Sequence, residues 1–76
     1  MKEHAGSWVD IQPRVERAIS NKVFPKKFSD KNYYLATYYL GESRAEIAAE
    51  MIRYHGYLVR VYNKENRVWY IYVRRK

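Results

Sequence analysis

The last twenty residues, 57–76, combine side chains that can stack on flat ligands with side chains that carry positive charge. They include five aromatic residues and six Lys or Arg, against a single acid, Glu65. Aromatic rings stack on nucleic-acid bases, and Lys and Arg follow the phosphate backbone between them. This segment therefore indicates a nucleic-acid-binding surface, provided that the rings and the charges lie on one face.

The spacing of these residues predicts a β-hairpin with one apolar face. The runs YLVRVY and RVWYIYVRR alternate with a period of two, as in strands buried on one side. Between them, residues 63–66 favour a three-residue loop, a type I turn followed by Asn66 in the left-handed conformation. A two-residue loop would pair Arg60 with Trp69 and mix charge into both faces, so the three-residue loop is preferred. It pairs Val61 with Trp69, and the core face then comprises Tyr57, Val59, Val61, Trp69, Ile71 and Val73.

The second face of the hairpin, together with the charges around it, supplies the candidate binding residues. Tyrosines lie there between arginines, with further cations at the loop and at the end of the last strand. The predicted nucleic-acid-binding residues are Arg60, Tyr62, Lys64, Arg67, Tyr70, Tyr72, Arg74 and Arg75. We expect the tyrosines to stack on unpaired bases, although an arginine-rich ribbon could instead enter a duplex groove. Arg60 and Arg74 are expected to matter more than Arg14 and Arg17 on the N-terminal helix.

The same tyrosine-rich face also fits other roles, because an exposed patch of this size needs a cover. Two copies of the chain could pair through it as a homodimer, or another protein could dock there. The N-terminal helix could pack over it instead. Stacking of sugars on the tyrosines is a weaker alternative, since no export signal is recognisable.

Residue types that support catalysis or metal binding are sparse. His4 and His55 have no partner at metal-ligand spacing, and neither a phosphate-binding loop nor a nucleophile motif occurs. Glu42, Glu46 and Glu50 repeat every four residues, which is typical of the solvated face of a helix. We therefore expect a protein that is not an enzyme and that uses no cofactor and no metal.

Composition and charge agree with a small basic binding protein. The chain has 76 residues, no cysteine and a formal net charge of +7. The charge is uneven, at +3 over residues 1–32, −1 over 33–56 and +5 over 57–76. This asymmetry points to a polyanionic partner. Without an apolar run of membrane-spanning length, we expect a cytoplasmic protein with no membrane partner. Abundant Lys, Arg and Tyr give a thermophile-like composition, as in small basic proteins of archaea and mobile elements.

The remaining elements are expected to position this hairpin within one domain, residues 9–76, after a disordered tail, residues 1–8. A first helix is predicted over residues 11–21, with Asp10 as its cap, followed by a polar connection over residues 25–32. A strand is predicted over residues 33–40, with Tyr34, Ala36, Tyr38 and Leu40 on its core face.

The second helix carries the clearest signals. Ser43 and Glu46 have the spacing of a capping box, and Gly56 suits the left-handed position after the helix. The predicted helix therefore covers residues 43–55, with an apolar stripe of Ala45, Ile47, Ala48, Met51, Ile52 and His55. The predicted fold class is α+β: an N-terminal helix, then a β-α-β-β unit forming a three-stranded sheet with a helix on one face. A split β-α-β arrangement, with the last strand in the middle, is favoured.

Overall fold

The computed structural model of the chain describes residues 7–65 and 67–76. The conformation predicted for Asn66 lies outside the described residues. So do residues 1–6 of the tail predicted over residues 1–8, whereas Trp8 belongs to the first helix. The elements are α1 (Trp8–Asn21), β1 (Lys26–Phe28), β2 (Lys31–Tyr39), α2 (Glu42–Tyr54), β3 (Tyr57–Glu65) and β4 (Val68–Arg75).

The strands form one four-stranded antiparallel sheet in the order β1-β2-β4-β3. The α+β class is confirmed, and β4 lies between β2 and β3 as the split arrangement requires. The prediction of three strands is wrong, because β1 forms within the segment predicted to be a polar connection. Ser29 and Asp30 join β1 to β2, and their φ angles of 54° and 67° match the positive values of a type I′ hairpin turn. Ser-Asp is a weak signal for that turn compared with Asn-Gly, so the hairpin is hard to recognise in the sequence.

Both helices pack on the same face of the sheet and enclose one hydrophobic core. Ile11, Val15 and Ala18 of α1 are buried, and they meet the fully buried Ile71 and Val73 of β4. The alternative in which α1 covers the tyrosine-rich face is therefore wrong. The helix also begins three residues earlier than predicted, at Trp8, with Ser7 rather than Asp10 at its N-cap.

Helix α2 confirms the predicted position of the second helix but not its predicted cap. It begins at Glu42, with Gly41 at the N-cap and no side-chain hydrogen bond to the first turn. Ser43 therefore lies inside the helix, and the predicted capping box with Glu46 does not form. The buried stripe consists of Ala45, Ala48, Ala49 and Ile52, whereas Ile47 is exposed. Gly56 follows the helix with a φ of 93°, as its predicted role requires.

The C-terminal hairpin has the predicted faces in a register that differs by two residues. Val61 pairs with Ile71, not with Trp69. The strands are joined by two residues, 66 and 67, and the pairing shifts between Asn63 and Glu65, which makes Lys64 the extra residue of a β-bulge. Because side chains alternate with a period of two, an even shift leaves every residue on its predicted face. The core face is confirmed: Tyr57, Val59, Ile71 and Val73 are buried, and Val61 and Trp69 pack against them.

Strand β2 contains a second bulge, which explains the errors in its predicted core face. Leu35 pairs with Tyr72 and Thr37 pairs with Ile71, so the alternation reverses at Ala36. Tyr34 and Ala36 pack against the core as predicted. Beyond the bulge, Thr37 and Tyr39 point to the core side instead. The side chains of Tyr38 and Leu40 are 58% and 71% exposed, so their predicted burial is wrong.

Candidate nucleic-acid interface

The face of the sheet opposite the helices curls until its two outer strands approach each other. The Lys26 Nζ atom of β1 lies 4.4 Å from the centre of the Tyr62 ring of β3. Arg60 Nη2 donates a hydrogen bond to Ser29 Oγ, in the turn after β1, over 3.2 Å. Since β1 and β3 occupy opposite edges of the sheet, these contacts require a strongly curled surface.

Phe28 of β1 lies at the centre of the curl and forms an aromatic cluster with the tyrosines below it. Its ring centre is 5.4 Å from that of Tyr33, 5.6 Å from that of Tyr72 and 6.3 Å from that of Tyr62. Such tilted and edge-on contacts are favourable geometries for aromatic pairs. β1 thus covers part of the tyrosine-rich face. Tyr62 and Tyr72 are half-buried as a result.

Burial also acts on the acid–base behaviour of this cluster. Desolvation raises the pKa of the Tyr72 phenol above its ordinary value, and the neighbouring Tyr62 and Tyr70 raise it further. A phenol with a raised pKa stays neutral at physiological pH. The Tyr72 ring is therefore uncharged within the aromatic cluster.

Three tyrosines lie side by side across the sheet and remain partly open to solvent. Tyr38 of β2 pairs with Tyr70 of β4, which in turn pairs with Tyr62 of β3. The rings of Tyr38 and Tyr70 are 6.2 Å apart. We call Tyr38, Tyr70 and Tyr62 the tyrosine row. Sequence reasoning missed Tyr38, because the bulge at Ala36 turns it from the predicted core face to this one.

Arg60 and Arg74 lie on the predicted face with the tyrosines, but their side chains contact the β1–β2 hairpin. Arg60 and Arg74 hold the β1–β2 hairpin, since Arg74 Nη1 donates to the Asn32 carbonyl oxygen over 3.1 Å. Arg75 lies on the helix side of the sheet, where its guanidinium carbon is 6.0 Å from the centre of the Tyr57 ring. Arg75 therefore lies away from the tyrosine row, whereas Arg60 and Arg74 share its face and contact the β1–β2 hairpin.

The tyrosine row has Lys26 beside the Tyr62 ring, and further cations follow it in the turn of the C-terminal hairpin. Lys64 and Arg67 are exposed, and they lie just beyond the Tyr62–Tyr70 pair. Lys26 was not predicted, because its strand was not recognised. The structure thus brings together Tyr62 and Tyr70 of the predicted residues and adds Tyr38 and Lys26, while Lys64 and Arg67 lie exposed toward the hairpin turn.

Groups suited to other chemistry are scarce in the part of the chain that the structure describes. Within residues 7–65 and 67–76, no cluster of three His, Asp or Glu could hold a metal ion. The ring of His55 stacks on Trp8, with centres 4.1 Å apart, far from the tyrosine row on the helix side. No helix among these residues is both long and apolar enough to span a membrane.

Comparison with known proteins does not place the chain in a family. No family model, no curated protein and no solved structure matches it. The tyrosine row and the cations near it are therefore the features of this chain that indicate a function.

Proposed function

We propose that this protein binds single-stranded nucleic acid on the tyrosine row and does not catalyse a reaction. The observation that carries the proposal is the alignment of Tyr38, Tyr70 and Tyr62 across three adjacent strands, with Tyr38 58% exposed. Rings in this arrangement offer successive stacking positions for unpaired bases. Stacking on a π-face is tolerant of sequence, so we expect little base preference.

The cations near the row supply the backbone contacts. Lys26 lies over the Tyr62 ring, and Lys64 and Arg67 lie between Tyr62 and Tyr70 along the C-terminal hairpin. Their role is to neutralise phosphates on either side of the stacked bases, which provides affinity that depends on salt. Arg60 and Arg74, in contrast, have their main role in holding β1 in place.

Entry of the hairpin into a duplex groove is disfavoured by the strands beside β3 and β4. The major groove of DNA admits a two-stranded ribbon. Here β4 lies between β2 and β3 in a four-stranded sheet, and Lys26 and Phe28 of β1 lie against Tyr62 of β3 on the open face. Unpaired bases laid on the open face require no such insertion.

Fluorescence anisotropy with a labelled oligonucleotide of about eight nucleotides tests the proposal. We expect Tyr38→Ala and Tyr70→Ala each to weaken binding by about 1–3 kcal/mol, because each removes one stacking surface. Tyr54→Ala is the matched control, since Tyr54 is 85% exposed on α2, away from the row. The proposal is wrong if the parent does not bind at low salt, or if all three variants bind equally well.

Self-association through the same face is the second candidate. Leu40, two residues after Tyr38 in the chain, is 71% exposed, and exposed apolar and aromatic side chains are typical of protein interfaces. Sedimentation with and without the oligonucleotide separates the two candidates. A homodimer that Tyr38→Glu converts to a folded monomer would favour this second role.

A further inference from the structure

A cleft between α1 and β2 lies directly beside the tyrosine row. It encloses about 420 Å³, and its walls include Arg14, Arg17, Phe24, Ala36, Thr37 and Tyr38. Tyr38 belongs both to this cleft and to the row. A nucleic-acid strand that lies along the tyrosine row therefore reaches the cleft where the row ends at β2.

The charge of the cleft is positive and suits a phosphate. Two arginines and no acidic residue line it. Arg14 Nη1 donates to Thr37 Oγ1 over 3.2 Å, which fixes the guanidinium while leaving its other N–H groups available. Arg17 makes no hydrogen bond or ion pair with any other residue in 7–65 or 67–76. A pair of guanidinium groups is well suited to hold a phosphate through several charge-assisted hydrogen bonds.

Phe24 provides a flat apolar surface at the same cleft and is held in an unfavourable backbone conformation. Its side chain is 72% exposed and its φ is 39°, which is rare for a bulky residue. The neighbouring Val23 fixes the chain here, because its carbonyl oxygen accepts a hydrogen bond from the Leu35 N–H over 2.9 Å. Strained residues of this kind cluster where proteins contact ligands.

The backbone of β2 leaves room for a ligand at this place. β1 pairs with β2 only over Lys31–Tyr33, so the later part of β2 has no strand beside it on that edge. The bulge at Ala36 interrupts the regular pairing in the wall of the cleft. Bulges often occur beside binding sites, where they redirect side chains, and this one directs Tyr38 to the row.

We propose that the cleft binds one phosphorylated nucleotide of the strand held by the tyrosine row. Arg14 and Arg17 bind its phosphate, and the base packs against Phe24 and Tyr38. The volume of the cleft lies within the range of small-molecule sites, about 300–1,000 Å³. The inference extends the proposed function and rests on it for the identity of the ligand as nucleic acid.

A nucleoside monophosphate tests the cleft separately from the row. In an NMR titration of the ¹⁵N-labelled full chain, we expect the monophosphate to shift the signals of Arg14, Arg17 and Phe24 at millimolar concentration. The unphosphorylated nucleoside and inorganic phosphate, each alone, should shift them less. Absence of shifts at these residues with the monophosphate would overturn the inference.

Two variants test the same cleft with the oligonucleotide. Arg17→Gln should reduce the slope of log K against log salt by about 0.7, the value for one phosphate contact on a single strand. Arg75→Gln is the matched control, because it removes an equal charge on the helix side, over Tyr57. Phe24→Gly should weaken binding by about fivefold or more through lost stacking. Because glycine accepts a positive φ, this variant should melt no lower than the parent.

The outcomes distinguish failure of this inference from failure of the proposed function. If Tyr70→Ala weakens oligonucleotide binding while Arg17→Gln behaves like Arg75→Gln, the cleft is not a nucleotide site and the tyrosine row remains one. If the monophosphate binds in the cleft and Tyr70→Ala has no effect, the cleft is supported and the row is not.

Discussion

Arg60 and Arg74 show that the residue type alone does not define a role on this surface. Both alternate with tyrosines on the predicted binding face, yet each donates a hydrogen bond to the β1–β2 hairpin. Lys64 and Arg67, by comparison, are exposed at the far end of the C-terminal hairpin. At the scale of single residues, stability and binding should therefore depend on different cations.

Replacement of these cations by glutamine should separate the two effects. Arg60→Gln and Arg74→Gln should each lower the free energy of unfolding by about 0.5–1 kcal/mol, since each loses a solvent-accessible hydrogen bond. Lys64→Gln should change it by less than about 0.5 kcal/mol, as expected for an exposed side chain. Urea denaturation measures the stability, and anisotropy measures the affinity.

The effects of these variants on affinity for the oligonucleotide should follow the opposite order to their effects on stability. Lys64→Gln should weaken oligonucleotide binding and reduce its dependence on salt, whereas Arg74→Gln should change binding less. Equal stability of all three variants would show that the contacts of Arg60 and Arg74 to the hairpin contribute nothing measurable.

At the scale of elements, short β1 has an influence larger than its three residues suggest. Its Phe28 ring joins the aromatic cluster with Tyr33, Tyr62 and Tyr72, and so connects the two edges of the sheet. An isolated hairpin of this length is not stable in water, so β1 depends on this packing. Phe28 is therefore the residue that fixes the curl of the open face.

Phe28→Ala should release β1 without unfolding the rest of the sheet. Because the Phe28 ring is half-buried, we expect a loss of stability of about 2 kcal/mol, below the range for fully buried aromatic residues. Amide hydrogen exchange should become faster in β1 and at the start of β2, while β4 stays protected. Lys27→Ala is the control, because Lys27 is exposed on the same strand. Equal exchange in both variants would contradict this role of Phe28.

At the scale of the whole molecule, the cations form a path instead of a single patch. Lys26, Lys64 and Arg67 lie at one end of the tyrosine row, and Arg14 and Arg17 lie in the cleft at the other. The net charge of +7 favours any polyanion, so binding alone is weak evidence for this path. The number of phosphates in contact is a more specific measure.

The salt dependence of oligonucleotide binding counts these contacts. Three cations at the row predict a slope of log K against log salt of about −2, and the two additional arginines of the cleft predict about −3.5. Anisotropy between about 50 and 200 mM salt determines the slope. A slope near zero would be incompatible with backbone contacts at either place.

The sequence by itself determined those features that depend on local periodicity. The period of two in residues 57–76 placed Val59, Ile71 and Val73 on the correct core face, and an error of two residues in register did not alter that assignment. The helical spacing of Ala45, Ala48 and Ile52, with Gly56 after it, placed α2. The basic character of residues 57–76 is likewise a property of the sequence.

Only the tertiary structure decided which of these residues act together. The bulge at Ala36 exposes Tyr38, and nothing in the local pattern marks it, because a bulge is set by the pairing of β2 with β4. The curl of the sheet brings Lys26 of β1 next to Tyr62 and lets Arg60 donate a hydrogen bond to Ser29. Such contacts join residues far apart in the chain, so their energies depend on the whole packed sheet. Local sequence therefore defines the faces of the C-terminal hairpin, whereas long-range packing decides the faces of β2 and the contacts of each side chain.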